Sequence, residues 1–166
     1  MFQWVKKLFD LPLEKYSPEV VTLLKLHNQE RVKDRLKPLT LNPMLANAAQ
    51  GHANWMVFHR KMSHDEFGVP FTSRLQKVGY NFWSAGENIA MGQPTPEAVF
   101  KAWMASPGHR QNILRTSFKD VGFGFAAIDH MVYWCADFGS KPGLMMSRLE
   151  GHIFLSGPLG PSEGVS

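Results

Sequence analysis

The sequence predicts a single domain of the α+β class, and three observations support this prediction. Three segments begin with a helix-capping side chain followed directly by proline, a pattern typical of helix starts. Residues 121–128 instead alternate in side-chain size with a period of two, as a strand does. The 166 residues are 44% hydrophobic and include 5 Trp and 12 Phe, enough apolar material for one substantial core.

Three long helices follow from these caps and from the spacing of their apolar residues. Residues 18–36 form the first helix, which ends before Pro38 because proline cannot continue it. Residues 43–60 form the second, in which apolar side chains recur at three- and four-residue steps. The third helix starts at Pro96 and ends at the Pro107-Gly108 break. The three caps are Ser17, Asn42 and Thr95.

Shorter elements lie between and after these helices. A polar loop covers 61–70, and a short helix over 71–78 is closed by Gly79. A short strand covers 86–91, where it leaves a turn. A second short helix covers 109–114, directly after the Pro-Gly break. The sequence shows no internal repeat.

The last two strands are predicted to form a hairpin. Residues 121–128 and 131–138 are separated only by Asp129-His130, a two-residue connection typical of tight hairpins. Gly122 and Gly124 lie on the same face of the first of these strands. Glycines in a strand interior indicate close approach of another backbone, so we expect a neighbouring element to pack there.

The chain is divided into an N-terminal amphipathic segment (1–16), the main domain (17–140) and a C-terminal extension (141–166) that is flexible from residue 156. Residues 1–11 fit either an interfacial membrane anchor or a short helix that docks its apolar stripe on the domain. We favour docking because the segment is so short. No apolar run is long enough to span a bilayer, and the N-terminus lacks the order of a signal peptide.

Charge and cysteine content narrow the classes of partner. The formal net charge of +4 comes from 18 basic and 14 acidic residues, with no dense basic block. A nucleic-acid partner is not expected, because such proteins usually cluster their Lys and Arg residues. Cys135 is the single cysteine, so no intrachain disulfide can form and the redox compartment stays open.

Three residues far apart in the chain could form one site. His64 lies in the polar loop, Glu87 near the start of a strand and His109 at the start of a helix. Imidazole and carboxylate groups are typical zinc ligands. The same groups could also place an acid beside a base, with Glu87 and His109 as the catalytic candidates. Spacing alone leaves open the alternative that each side chain hydrogen-bonds locally.

Several short strings stand in a characteristic order between residues 20 and 139. They are HNQER at 27–31, MSH at 62–64, GENIA at 86–90, AWMASPGHRQNIL at 102–114, VGFG at 121–124 and YW…DFG at 133–139. In these strings the chain resembles the CAP superfamily, which contains cysteine-rich secretory proteins, antigen 5 and plant pathogenesis-related 1 proteins. It is most similar to the short, cysteine-poor bacterial branch of that superfamily.

The resemblance implies a three-layer α-β-α sandwich with a central, mostly antiparallel sheet and a large cleft. In that family two histidines and two acids line the cleft, and several members bind a divalent cation there. His64 and His109 match the histidines and Glu87 the first acid, while Ser106 stands where the second acid would fall. We place Asn88 and Ser106 beside the three donors. Zinc is the first choice of cation. Solvent could complete the coordination shell of the zinc ion, or the missing second acid could weaken zinc binding.

Other residues have structural interpretations. Asn28 and Arg31, one helical turn apart, are expected to hold the loops around the cleft, because a buried Arg needs fixed acceptors. Trp103 is interpreted as core. Cys135 is interpreted as a packed small residue among bulky apolar neighbours, not as a nucleophile. His52 is expected to satisfy hydrogen bonds in the core or at its rim.

Three functions remain open at this point. The first is a module that binds a divalent cation and an extended or lipid-like ligand, which could be a lipid, a peptide or a cell-wall fragment. The second is a metal-dependent hydrolase of peptide, peptidoglycan or ester bonds. The third is a structural surface or virion accessory domain. The resemblance favours an extracellular or cell-surface location, and we expect a monomer or weak dimer.

Overall fold

A computed structural model describes residues 15–143 of the chain. The amphipathic N-terminal segment and the flexible tail predicted from residue 156 lie outside the described residues, and the domain boundaries at 16/17 and 140/141 stay predictions. Within the described part, no helix has both the length and the apolar composition needed to cross a membrane.

Five helices and four strands make up the described chain. The strands form one sheet in the order β1-β3-β4-β2, in which β1 is parallel to β3 and the other two pairings are antiparallel. This mixed sheet confirms the α+β prediction. The elements in chain order are α1 (Pro18–Lys33), β1 (Thr40–Leu41), α2 (Pro43–His59), α3 (Phe71–Lys77), β2 (Ser84–Met91), α4 (Pro96–Ala105), α5 (Pro107–Ile113), β3 (Asp120–Ile128) and β4 (Met131–Ser140).

The three long helices begin where their caps predict. The side chains of Ser17, Asn42 and Thr95 each accept a backbone N–H from the first turn of α1, α2 and α4. The predicted end of the first helix is wrong by three residues, since α1 stops at Lys33. Arg35 adopts a left-handed φ of 59°, so the chain turns away before the proline acts.

One face of the sheet lies directly against α2. A Cβ atom on Gly122 would fall 2.1 Å from the backbone carbon of Leu45, and one on Gly124 would fall 2.3 Å from the backbone nitrogen of Gln50. Any larger residue would therefore push the helix off the strand. The close approach predicted from these two glycines is confirmed.

The opposite face of the sheet carries the main hydrophobic core. Val121 and Phe123 alternate with the two glycines along β3, so they point away from α2. They pack with buried side chains of α1 and α4. Helices therefore cover both faces, which is the three-layer arrangement expected. The core includes Val20, Leu23, Leu24, Val99, Phe100, Trp103, Val121, Phe123, Trp134 and Phe138.

Arg31 ties α1 to the segment that follows α5. Its guanidinium donates to the carbonyl oxygens of Lys37 (2.9 Å), Ile113 (2.9 Å), Arg115 (2.9 Å) and Phe118 (3.1 Å). Burial lowers the pKa of Arg31 to about 10, so the group stays charged at neutral pH. Charge-assisted bonds to four carbonyls fix the end of α5 against α1, and α5 carries His109.

Asn28, one turn earlier on α1, makes a reciprocal pair of hydrogen bonds with the backbone of Leu39. Its amide donates to the Leu39 carbonyl (2.9 Å) and its oxygen accepts the Leu39 N–H (2.7 Å). These bonds hold the chain just before β1, a two-residue strand that the sequence did not predict. β1 is set in place by its parallel pairing with β3, Thr40 to Asp120 and Leu41 to Val121.

Candidate functional site

Glu87 and Asn88 are consecutive residues of β2, the edge strand, and their side chains leave opposite faces of the sheet. Glu87 reaches the loop after α2, where its Oε1 lies 2.8 Å from Nδ1 of His64. Asn88 reaches α5, where its amide donates to the carbonyl of His109 (3.0 Å). The edge strand therefore connects the segments that carry the two predicted histidines.

Both carboxylate oxygens of Glu87 are engaged. Oε1 contacts His64, while Oε2 accepts a hydrogen bond from the Arg74 guanidinium and one from the Cys135 thiol (3.5 Å). The Glu87 side chain is only 1% exposed. A buried carboxylate of this kind needs several donors, and it has three here.

Electrostatics keep Glu87 ionised despite its burial. Burial alone would raise the pKa of Glu87, but the hydrogen bond from His64 and the positive charge of Arg74 outweigh it and lower the pKa below its ordinary value. Burial likewise opposes the charge on Arg74, yet Glu87 and Asp137 raise the pKa of Arg74. The pair is therefore a buried, hydrogen-bonded ion pair.

The loop that carries His64 is fixed at several points. An Arg74 N–H donates to the backbone carbonyl of His64 (2.9 Å). His52, fully buried on α2, places Nε2 on the Ser63 carbonyl (2.7 Å) and Nδ1 on Glu66 (2.8 Å). The His64 side chain itself remains 35% exposed. It can thus meet solvent or a ligand while its backbone is held.

His109 stands near the start of α5, which begins at Pro107. Burial lowers the pKa of His109, and repulsion from the neighbouring His64 ring in its charged form lowers it further. His109 is therefore a neutral imidazole at physiological pH. Ser106 precedes the helix as its cap residue, but its side chain makes no capping hydrogen bond.

The predicted donors come together only in part. His64 and Glu87 are in direct contact, and His64 is close enough to His109 to affect its pKa. However, His64, Glu87 and His109 do not form a group in which one donor atom of each lies within 4.8 Å of the others. Among residues 15–143 the group that meets this distance is Glu87, Cys135 and Asp137.

The Glu87, Cys135 and Asp137 group fits a metal ion poorly. Burial raises the pKa of Cys135 and of Asp137, so the thiol stays protonated at neutral pH and the second carboxyl holds its proton more strongly than usual. The cation that already occupies Glu87 is the guanidinium of Arg74. A metal ligand must lose its proton, which makes this cluster a buried polar network instead. Cys135 is buried, but its surroundings include two carboxyl groups and not only the apolar neighbours expected from the sequence.

Arg74, Glu66 and Asp137 were missed as site residues by the sequence analysis. Arg74 could have been found, because Phe71, Leu75 and Val78 define an apolar stripe on α3 and Arg74 occupies the i+3 position of that stripe. A charged residue on a core-facing stripe indicates a buried partner. Glu66 and Asp137 carry no comparable local signal.

A separate cavity of about 370 Å³ opens beside the end of α4 and along α5. It does not contain any of the predicted donors, and most of its lining is apolar. The lining residues are Met104, Ala105, Pro107, Arg110, Gln111 and Leu114. The function proposed below therefore rests on the contact between His64 and Glu87 and not on this cavity.

Comparison with known proteins places the chain in a family. The family model of the cysteine-rich secretory proteins, CAP, matches residues 24–138. The Bacillus subtilis protein YkwD is 38% identical over 128 residues, which cover 76% of this chain and 48% of YkwD. The chain thus spans about half the length of this curated relative.

Solved structures of SCP and CAP proteins have a similar fold. An extracellular protein containing a SCP domain from Bacillus anthracis superposes with a TM-score of 0.67 at 30% identity, over 74% of this chain and 40% of that one. The structure of NaASP2 with Zn2+ superposes with a TM-score of 0.59 at 16% identity, over 76% of this chain and 82% of that one, a likeness of fold alone. Because the family match covers well over half of its length, this single-cysteine chain belongs to the cysteine-rich secretory protein (CAP) family and fits its cysteine-poor bacterial branch.

Proposed function

We propose that this protein binds a divalent cation, zinc in the first place, through the imidazoles of His64 and His109. Glu87 orients His64 by accepting a hydrogen bond from Nδ1 of its ring. The observation that carries the proposal is the 2.8 Å contact between Glu87 Oε1 and His64 Nδ1. A histidine that ligates a metal typically gives its other ring N–H to a carboxylate in this way. The proposal differs here from the sequence prediction, in which Glu87 is a third ligand.

The donor set has the chemistry that zinc requires. A carboxylate can only accept, so Nδ1 of His64 carries a hydrogen, and in the neutral form of the ring Nε2 keeps its lone pair. The lowered pKa of His109 leaves that ring neutral as well. Neutral imidazole is the form that binds metal. A bound zinc ion would supply Lewis acidity and coordination positions open to solvent or to a ligand.

Binding is favoured over hydrolysis by the state of Glu87. A hydrolase would need a carboxylate free to take a proton from an attacking water molecule. Both oxygens of Glu87 are held by His64 and Arg74, so this group is committed to orientation. The further ligand of the binding site, an extended peptide, a lipid or a cell-wall fragment, remains part of the proposal. So does an extracellular or surface location, which the extracellular Bacillus anthracis relative supports.

Metal content after purification and a calorimetric zinc titration test this function. Wild type should bind one zinc ion, while His64→Ala and His109→Ala should each weaken binding at least tenfold because one of two imidazoles is lost. His59→Ala is the matched control, since His59 is an exposed histidine that packs on Trp55 and Phe67. Equal zinc uptake by wild type and His109→Ala would remove the metal function and leave a structural domain.

Turnover separates binding from hydrolysis in the same set of proteins. The zinc-loaded wild type should not release product from peptide, peptidoglycan or ester substrates above the level of His64→Ala. Product release that is abolished in both histidine variants would replace the binding proposal with the hydrolase.

A further inference from the structure

We infer that Arg74 is the positioning residue that sets the ring tautomer of His64. It does so by fixing both ends of the hydrogen bond between His64 and Glu87. The consequence for metal affinity rests on the proposed function, but the tautomer itself does not.

The contacts of one guanidinium carry this inference. One terminal nitrogen of Arg74 bonds Oε2 of Glu87, and the other donates to the backbone carbonyl of His64 (2.9 Å). Nε lies 3.7 Å from Oε1 of Glu66, whose same oxygen faces His52. Arg74 therefore holds the acceptor through its far oxygen and the donor through its backbone.

Because Arg74 fixes both ends of this hydrogen bond, Glu87 can only act as the acceptor for His64. With Oε2 occupied by Arg74, Oε1 is the oxygen left for the loop, and it meets Nδ1 of His64 at 2.8 Å. Which imidazole nitrogen carries the hydrogen is set by the partner of the other nitrogen. Nδ1 must donate to Glu87. In the neutral ring Nε2 therefore carries no hydrogen, and it faces the exposed side of the ring.

Only arginine can hold both the Glu87 carboxylate and the His64 carbonyl from position 74. A guanidinium is a planar fork that reaches two acceptors at once, whereas lysine is a point charge. Lysine at position 74 would keep a cation beside Glu87 but lose the grip on the His64 carbonyl. A neutral side chain would leave Glu87 buried without its cation, so the carboxylate would no longer be fixed as the acceptor.

Nitrogen NMR of the metal-free protein at mildly alkaline pH tests the inference, because ring nitrogen shifts report the tautomer directly. The wild-type His64 should carry its hydrogen on Nδ1. Arg74→Met and Arg74→Gln should move it largely to Nε2. Arg74→Lys should keep Nδ1–H as the major form, with a larger share of Nε2–H than wild type because the His64 carbonyl is no longer held. Arg60→Met is the control, since the exposed Arg60 pairs with Asp129 and its loss should leave His64 unchanged. A purely structural role would lower Tm without this tautomer change.

Zinc titration of the same variants adds a second readout. Arg74→Met should bind zinc about 10-fold or more weakly, as loss of an outer-shell partner typically does, with Arg74→Lys in between. Nε2–H as the major tautomer in wild type or in Arg74→Lys overturns the inference even if neither neutral variant folds. So does an Nδ1–H tautomer in a folded Arg74→Met. A wild type that binds no zinc would end the proposed function but leave the tautomer result standing.

Discussion

Glu87 on β2 and Asp137 on β4 lie directly opposite each other in the sheet register, so two buried carboxyl groups share one face. Two negative charges this close together in a buried setting would repel each other. Burial and the charge of Glu87 raise the pKa of Asp137, while His64 and Arg74 lower that of Glu87. The pKa values of the two carboxyl groups therefore move apart, so that Glu87 favours the anion and Asp137 favours the neutral acid.

This division predicts different costs for two isosteric substitutions. Glu87→Gln should lower the free energy of unfolding by about 3 kcal/mol, because it leaves the Arg74 charge buried without its anion. Asp137→Asn should cost about 1 kcal/mol, since the raised pKa of Asp137 favours the uncharged form that asparagine imitates. Urea unfolding at neutral pH measures both.

Glu30→Gln is the control for Glu87, because it breaks an exposed pair with Lys33 and should change stability by about 0.5 kcal/mol at most. Equal losses for Glu87→Gln and Asp137→Asn would show that the charge is not located on Glu87.

His27 makes stability depend on pH. It is fully buried among aromatic rings, and burial lowers its pKa to about 4, from 6.5. Between these values the unfolded chain binds one more proton than the native protein, so stability falls as pH falls from 6.5 to 4. This residue should remove about 2 kcal/mol between pH 7 and 4.5.

Urea unfolding of wild type and His27→Leu at both pH values isolates this contribution. Leucine does not titrate, so the variant should lose about 2 kcal/mol less on acidification than wild type does. The same pH dependence in both proteins would mean that folding does not lower the pKa of His27.

The contact between α2 and β3 predicts opposite signs for two glycine-to-alanine changes. Gly122→Ala should destabilise the protein by about 3 kcal/mol, because the new Cβ meets the backbone of α2 and not a side chain that could move. Gly51→Ala, within α2 itself, meets nothing within 4 Å and should stabilise by about 0.5–1 kcal/mol. Thermal unfolding of both proteins gives the comparison, and a tolerated Gly122→Ala would contradict the packing described.

The helices could be predicted because their signals are local. Ser17, Asn42 and Thr95 each lie within three residues of the N–H groups that they cap. The hairpin at Asp129 and His130 could also be predicted from a local signal. Both residues adopt the positive φ angles of a tight turn. β1 was missed because two residues have no periodicity, and only the distant β3 makes them a strand.

The site was predictable as a list of donors but not as an arrangement. Residue type and family resemblance pointed to His64, Glu87 and His109. What each does depends on partners far along the chain, since Arg74 reaches Glu87 across 13 residues and Cys135 reaches it across 48. Contacts of this range arise from the pairing of β4 with β2 and from the tertiary position of α3, which no short pattern encodes.

Zinc K-edge X-ray absorption of the protein loaded with one equivalent of zinc tests the central claim most directly. The two-histidine site predicts a first shell of nitrogen and oxygen only, at about 2.0–2.1 Å, with the multiple scattering of two imidazole rings. A sulfur scatterer at about 2.3 Å would instead place the ion on Cys135, in the buried group with Glu87 and Asp137. A shell without imidazole, or one with sulfur, would contradict the account.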